Sequence, residues 1–225
     1  MTALALAVTL IAYAVGLALA TRLRSPLVHP VVIGVALVIG FLGFTHLRYA
    51  DYARATQPLT VLLGPAVVAL ALPLHEHADL LRRRPLPLLG APLLCVALAA
   101  GSGWIALQLL RLGPDLSLAL STRAATSAIG MAVATRAGTS APLAGAFSIV
   151  VGMVGGALGP WLLDRLGVRD PVTRGAAVGA ASGGIGTARM LDDSAQAGAA
   201  AAVAMAVAGA LTALTIPPLW SLWTR

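Results

Sequence analysis

Residues 116–134 read LSLALSTRAATSAIGMAVA and residues 172–190 read VTRGAAVGAASGGIGTARM. Each is about the length of a membrane-crossing helix, which takes roughly 20 residues. Both, however, are rich in Gly, Ala, Ser and Thr and hold or adjoin arginine, so they make poor lipid-facing helices. Each is followed by a more apolar run, at about 141–163 and 197–221. Laid over one another, the pairs match. Thr126-Ser127-Ala128-Ile129-Gly130 falls on Ser182-Gly183-Gly184-Ile185-Gly186, 126 against 182, and Pro160 falls near Pro217. This reads as a weak internal repeat.

Composition sets the class around these stretches. Of 225 residues, 59% are apolar and 10% charged, with a mean hydropathy of +0.91. A soluble domain has about 45–50% and about 25%. The chain is therefore read as an all-α polytopic membrane protein of hydrophobic segments joined by short loops. The 15 basic residues are all arginine and are spread over those loops. The net charge of +7 thus speaks for membrane orientation and not for nucleic acid. The single cysteine, Cys95, lies in an apolar run, which excludes a disulfide framework or a thiolate zinc site.

Residues 3–20 have no basic residue before them and Arg22 and Arg24 after them, the charge order of an N-out anchor helix and not of a signal peptide. Runs at 27–45, 57–74 and 86–110 follow as expected spanning helices, with Pro65 and Pro73 tolerated where neighbours satisfy the freed carbonyls. This divides the chain into scaffold helices, 1–113, and paired repeat units, 114–225.

The arginines test the topology. If all eight segments span, seven arginines fall on each side and no orientation results. If 116–134 and 172–190 enter and return on one side, the division becomes nine against five. The positive-inside rule favours that arrangement. The expected fold is thus about six spanning helices plus two broken or re-entrant segments, which enter from opposite faces as an inverted repeat.

Arg123 is the one charge placed well inside a hydrophobic segment, and every Asp and Glu lies in a loop or at a segment end. That pattern lacks the carboxylate pair of a proton relay or an intramembrane protease, so no enzyme is expected. Beside Ser121, Thr122, Thr126 and Ser127, an interior guanidinium suits a small carboxylate gripped in a bidentate pair. The alternative is that Arg123 snorkels or caps carbonyls of a neighbouring helix. Gly130, Gly184 and Gly186, with Ser182 and Thr187, either allow close helix packing or break the helix so that free N–H groups face an anion. In SGGIGT the break is preferred; in GMVGGALG, residues 152–159, packing is. His75, Glu76, His77 and Asp79 have metal-ligand chemistry, but histidines two residues apart do not share a helix face, so a solvated loop and no metal or other cofactor is expected. Trp104, Trp161, Trp220 and Trp223 lie near segment ends, where interfacial anchors sit.

LGPAVVALALPL (63–74), RAATSAIGMAVA from Arg123, and GAASGGIGTARMLDDSAQAGAAAAVAM from Gly179 resemble the LrgB/CidB membrane protein family, from about His29 to Trp220. The resemblance implies a bacterial inner-membrane protein. It implies first a secondary carrier of small monocarboxylates such as glycolate, glycerate or pyruvate, with 114–225 as its transport module, and as the alternative a holin-like regulator of murein hydrolase activity or cell lysis. The latter acts with a small LrgA/CidA-type membrane partner. A homodimer in the lipid bilayer is the expected assembly. Ala128, Ala132 and Gly183 stand where that family has proline, glutamate and histidine; the basic Arg123 and the hydroxyls of Thr126, Ser127, Ser182 and Thr187 are kept.

Overall fold

The computed structural model describes residues 2–23, 30–62, 65, 68–69 and 71–224, and the regular elements among them are all helices. Part of the 63–74 stretch, and with it part of the expected 57–74 span, lies outside the described residues. The chain separates into two compact units, Met1–Ala66 and Val67–Arg225.

In the first unit, α1 (Thr2–Leu23) packs on α2 (Pro30–Thr45). The approach is close enough that a Cβ on Gly16 would lie 2.4 Å from the Pro30 carbonyl oxygen. Helix α3 (Tyr49–Ala55) also packs on α1, and α4 (Gln57–Val61) follows it. The Thr9 hydroxyl donates to the Ala5 carbonyl at 2.7 Å, so the 2.6 Å contact with Tyr52 has the buried tyrosine hydroxyl as donor. Buried hydroxyls find partners because an unmade hydrogen bond is costly.

The second unit holds α5 (Ala71–Glu76), α6 (Ala78–Arg83), α7 (Pro85–Gln108), α8 (Pro114–Thr122), α9 (Ser127–Arg136), α10 (Ala141–Arg165), α11 (Pro171–Asp193) and α12 (Ala195–Trp223). Across both units, four helical stretches are long and apolar enough to cross a bilayer: Thr2–Arg22, Pro85–Gln108, Ala141–Arg165 and Ala195–Trp223. Helix α2 is apolar but has 16 residues, about 24 Å of helix against a hydrocarbon core of about 30 Å.

Polar contacts at two ends of the second unit fix the course of its helices. At one end Arg84 Nη2 meets Asp170 Oδ2 at 2.8 Å, and Arg174 meets Asp164 at 2.6 Å and Asp193 at 3.0 Å. At the other, Gln108 Nε2 donates to the Trp223 carbonyl at 2.7 Å, and the Ser140 N–H donates to Asp115 Oδ1 at 2.6 Å. Helix α7 therefore runs from the first end to the second, α10 returns, and α12 crosses again.

Helices α8, α9 and α11 do not run from one end of this unit to the other. Arg174 and Asp193 belong to one helical segment, and a straight helix would hold residues nineteen apart at about 28 Å. Their 3.0 Å contact requires the chain to double back. The turn falls at Gly183, with φ 56 and ψ −140, inside α11. Only glycine adopts that region without strain. The arms, 171–182 and 184–193, lie against each other: a Cβ on Gly186 would meet Ser182 Cβ at 2.5 Å. In the same way α8 and α9 form a hairpin from the second end, which the Asp115–Ser140 contact closes.

Small residues let these elements approach. A Cβ on Gly179 would lie 2.3 Å from the Ala201 carbonyl oxygen, so the outgoing arm of α11 touches the α12 backbone. Gly152, Gly155, Gly156 and Gly159 of α10 receive Ser182, Ile185 and Val178 of α11, the packing use expected for that stretch. Ala176, Ala180, Ala200, Val203, Ala204 and Ala208 join Val96 and Ala99 in one buried cluster. Apolar side chains such as Leu94, Leu98, Val154 and Leu158 are exposed outward, the surface a bilayer covers. The tryptophans divide: Trp104 and Trp161 are exposed near helix ends, with Arg165 5.1 Å from the Trp161 ring centroid. Trp220 is instead buried and meets Trp223 edge-on at 6.4 Å.

Candidate functional site

The two hairpin turns lie deep in the second unit. Gly183 is about 18 Å along its arm and Arg123 about 13 Å along α8, near the middle of crossing helices about 36 Å long. They also share neighbours. On α12, Met205 meets Thr187 from one turn and Gly209 meets Ile129 from the other; those two positions are four apart on one helix face. On α10, Ser148 neighbours Gly130 and Gly152 neighbours Ser182, again four apart. Gly130 of the first turn and Ser182 of the second thus face α10 one helical step apart.

At the first turn, hydroxyls end one helix and start the next. Ser121 and Thr122 donate back to the carbonyls of Ser117 and Leu118 at 2.9 and 3.0 Å, a habit that bends helices. Thr126 caps α9, its side chain accepting from the Ile129 N–H at 3.5 Å. Ser127 opens α9 and is half-buried. Gly130 is buried, and a Cβ there would press on Ser148 Oγ at 3.2 Å. Between the helices Arg123 is half-buried and donates to the Ser102 hydroxyl of α7 and to the Leu120 carbonyl, the latter at 3.2 Å. No carboxylate among the described residues pairs with it.

At the second turn Thr187 donates to the Gly183 carbonyl at 3.0 Å, and Gly186 is buried. Gly184 is exposed, with open space where a Cβ would stand. Ser182 is buried and its hydroxyl has no hydrogen-bond partner. The oxygen points at α10, where a Cβ on Gly155 would lie 2.1 Å away.

Sequence reasoning missed Ser102, whose polar character inside an apolar run was the available signal. It also counted Arg174 with the loop arginines; the structure places it near the start of α11, 8% exposed and held by Asp164, Asp193 and the Val168 carbonyl. Next to it, Asp170 caps α11. The Thr173 hydroxyl and N–H at 2.6 and 2.9 Å, with Arg84 beyond, hold its carboxyl below the usual carboxylate range. His75 and Glu76 end α5, His77 precedes α6 and Asp79 lies in its first turn.

Fold and composition together define a multi-pass membrane protein, all-helical among the described residues. The LrgB-like family model matches residues 9–222, and the chain belongs to that family. It is similar to the uncharacterized protein YxaC of Bacillus subtilis (strain 168), 30% identical over 184 residues, covering 82% of this chain and 80% of that one. It is 26% identical to the holin-like protein CidB of Staphylococcus epidermidis, covering 94% of this chain and 92% of that one. It is likewise 26% identical to the antiholin-like protein LrgB of Bacillus mycoides (strain KBAB4), covering 93% and 92%. No solved structure matches.

Proposed function

We propose that this protein is a holin-like membrane regulator of murein hydrolase activity or cell lysis, acting in the bacterial inner membrane with a small membrane partner. The observation that carries this reading is the likeness, over more than nine-tenths of each chain, to proteins named holin-like CidB and antiholin-like LrgB. Among the described residues of the second unit, Arg82, Arg83, Arg84, Arg165, Arg169, Arg174 and Arg189 gather toward the Arg84 end, against Arg111 and Arg136 toward the other. By the positive-inside rule the Arg84 end is cytoplasmic. Both hairpins are then re-entrant, one from each face, and the two units 116–163 and 172–221 form an inverted repeat. To test the regulatory role, the chain is expressed with and without a CidA-type partner in a bacterium lacking its own copies, and autolysis rate is followed. A partner-dependent change in rate is expected; identical lysis in all strains refutes the reading.

A second reading, a carrier of small monocarboxylates, has no support in the relatives' names and rests on one observation. Arg123 reaches mid-depth with a hydroxyl and a carbonyl as partners and no acid. Such a guanidinium keeps donors free for a carboxylate. Saturable uptake of glycolate or pyruvate into proteoliposomes, lost in Arg123→Ala and poorly rescued by lysine, is what this reading requires. Absence of saturable flux refutes it and leaves the regulatory reading intact.

A further inference from the structure

The corner where α10 passes into α11 has no part in either reading. Its turn is tightly built. The Gly167 N–H donates to the Asp164 carbonyl at 3.1 Å and the Val168 N–H to the Leu163 carbonyl at 2.9 Å, with Gly167 at φ 71. That pattern closes a helix on a left-handed glycine. The Val168 carbonyl in turn accepts from Arg174. Arg169, next in the chain, is therefore presented from a held loop, exposed and without an ion-pair partner among the described residues.

Beside it lies an open pocket of about 460 Å³, lined by Arg169, Arg174, Asp164, Asp193 and Ser194. Its charges form two poles. Arg174 pairs with both Asp164 and Asp193, so two carboxylates share one guanidinium and these side chains together carry a surplus negative charge. Asp164 accepts through Oδ1 and Asp193 through Oδ2, which leaves the second oxygen of each free among the described residues. Their side chains are 66% and 33% exposed, so a ligand can reach them. Arg169 is the opposite pole, with all its donors unused.

The pocket also stands at the edge of a lipid-facing surface. Val150, Val154, Leu158, Trp161 and Leu162 are exposed along α10, at the steps of about three and four residues that make one helix face. The stripe ends at Arg165, whose guanidinium lies 5.1 Å from the Trp161 ring centroid. A tryptophan beside a basic residue at the end of an apolar stripe marks headgroup level. Leu166 and Leu191, close in sequence to Asp164 and Asp193, are exposed as well, so acyl chains have apolar surface next to the polar pocket.

We propose that this pocket binds the headgroup of a phospholipid that joins a phosphate to a primary ammonium, phosphatidylethanolamine, with the phosphate on Arg169 and the ammonium on the free oxygens of Asp164 and Asp193.

Both poles enter the choice. A purely anionic headgroup would meet Arg169 but also the surplus negative charge of the two aspartates. A choline headgroup has the same charges as the ethanolamine one, yet carries methyl groups where the ammonium carries N–H donors. It cannot make the charge-assisted hydrogen bonds that a carboxylate accepts most strongly.

The test uses the full chain, extracted in mild detergent from bilayers of equal phosphatidylethanolamine and phosphatidylcholine, with retained lipid counted by native mass spectrometry. Phosphatidylethanolamine should be retained about tenfold over phosphatidylcholine, the factor that about 1.4 kcal/mol of affinity supplies. Arg169→Gln, at an exposed and unpaired position, should lower retention of both lipids with an unchanged melting temperature. Asp164→Asn keeps an oxygen for Arg174 and should remove the preference while leaving phosphatidylcholine retention as in the parent. Equal retention of the two lipids by the parent overturns the proposal, as does Arg169→Gln retaining lipid like the parent or Asp164→Asn keeping the preference. Should Asp164→Asn fold poorly, the parent and Arg169→Gln results decide alone. Stronger retention of phosphatidylglycerol than of phosphatidylethanolamine from an equal mixture also overturns it, because the pocket is then a plain basic site. Glycerophosphoethanolamine, the same headgroup without acyl chains, should displace nothing when added in excess; displacement would assign the pocket to a soluble ligand instead of a lipid.

Discussion

Gly183 and Gly184 are neighbours in the sequence, yet substitution should affect them differently. Gly183 carries φ 56 and ψ −140, while Gly184 begins the return arm, and a Cβ on either meets open space. No steric clash separates them; backbone conformation does. Alanine at 183 must either hold a region that only glycine occupies freely, at a cost of about 1–3 kcal/mol, or straighten the arm. Straightening would also break the Arg174–Asp193 contact, so it offers no cheaper route. Alanine at 184 adds an exposed methyl to a helix and should change stability by no more than about 0.5 kcal/mol. In a protein of this size about 1 kcal/mol moves the midpoint by about 2–4 °C. Gly183→Ala should therefore lower Tm in detergent by several degrees, and Gly184→Ala should leave it near the parent. Tryptophan fluorescence on heating reads both. Equal midpoints for the two variants would mean that the chain does not turn at Gly183, and the two-hairpin architecture would fall.

Other expectations follow from the same contacts. Thiols at Thr139→Cys and Arg111→Cys should label from one face of sealed vesicles and Arg169→Cys from the opposite face; finding Thr139→Cys and Arg111→Cys on opposite faces contradicts the α8–α9 hairpin. Asp170→Ala should cost about 1 kcal/mol at neutral pH through the lost cap. The Asp170 carboxyl is lowered in the folded state, so its contribution is complete above the ordinary aspartate pKa and disappears as pH falls through the lowered folded value. Parent and Asp170→Ala melting points should therefore converge in acid; a constant gap down to pH 2 would contradict the charged cap. Gly179→Ala, whose Cβ would lie 2.3 Å from the Ala201 carbonyl oxygen, should destabilise by about 1–3 kcal/mol through overpacking, and a melting point equal to the parent would show that α11 and α12 do not meet there.

Composition alone determined the class, because a chain with 59% apolar and 10% charged residues cannot cover a water-facing surface. The weakness of 116–134 and 172–190 as lipid-facing helices was also legible, since Gly, Ser and Thr neither satisfy lipid nor favour a helix interior. So was the break in SGGIGT, although not that Gly183, among three glycines there, takes the positive φ. Side-chain pairing was decided by tertiary structure. Arg174 looks like a loop arginine until the chain doubles back and Asp193 arrives beside it. Arg123 has no visible partner until α7 brings Ser102 across. A local sequence window records which groups need partners but not which distant residue satisfies them. That is set by where helices cross, and the crossings depend on which small residues let two backbones meet, as Gly175 and Gly179 do with Ala197 and Ala201.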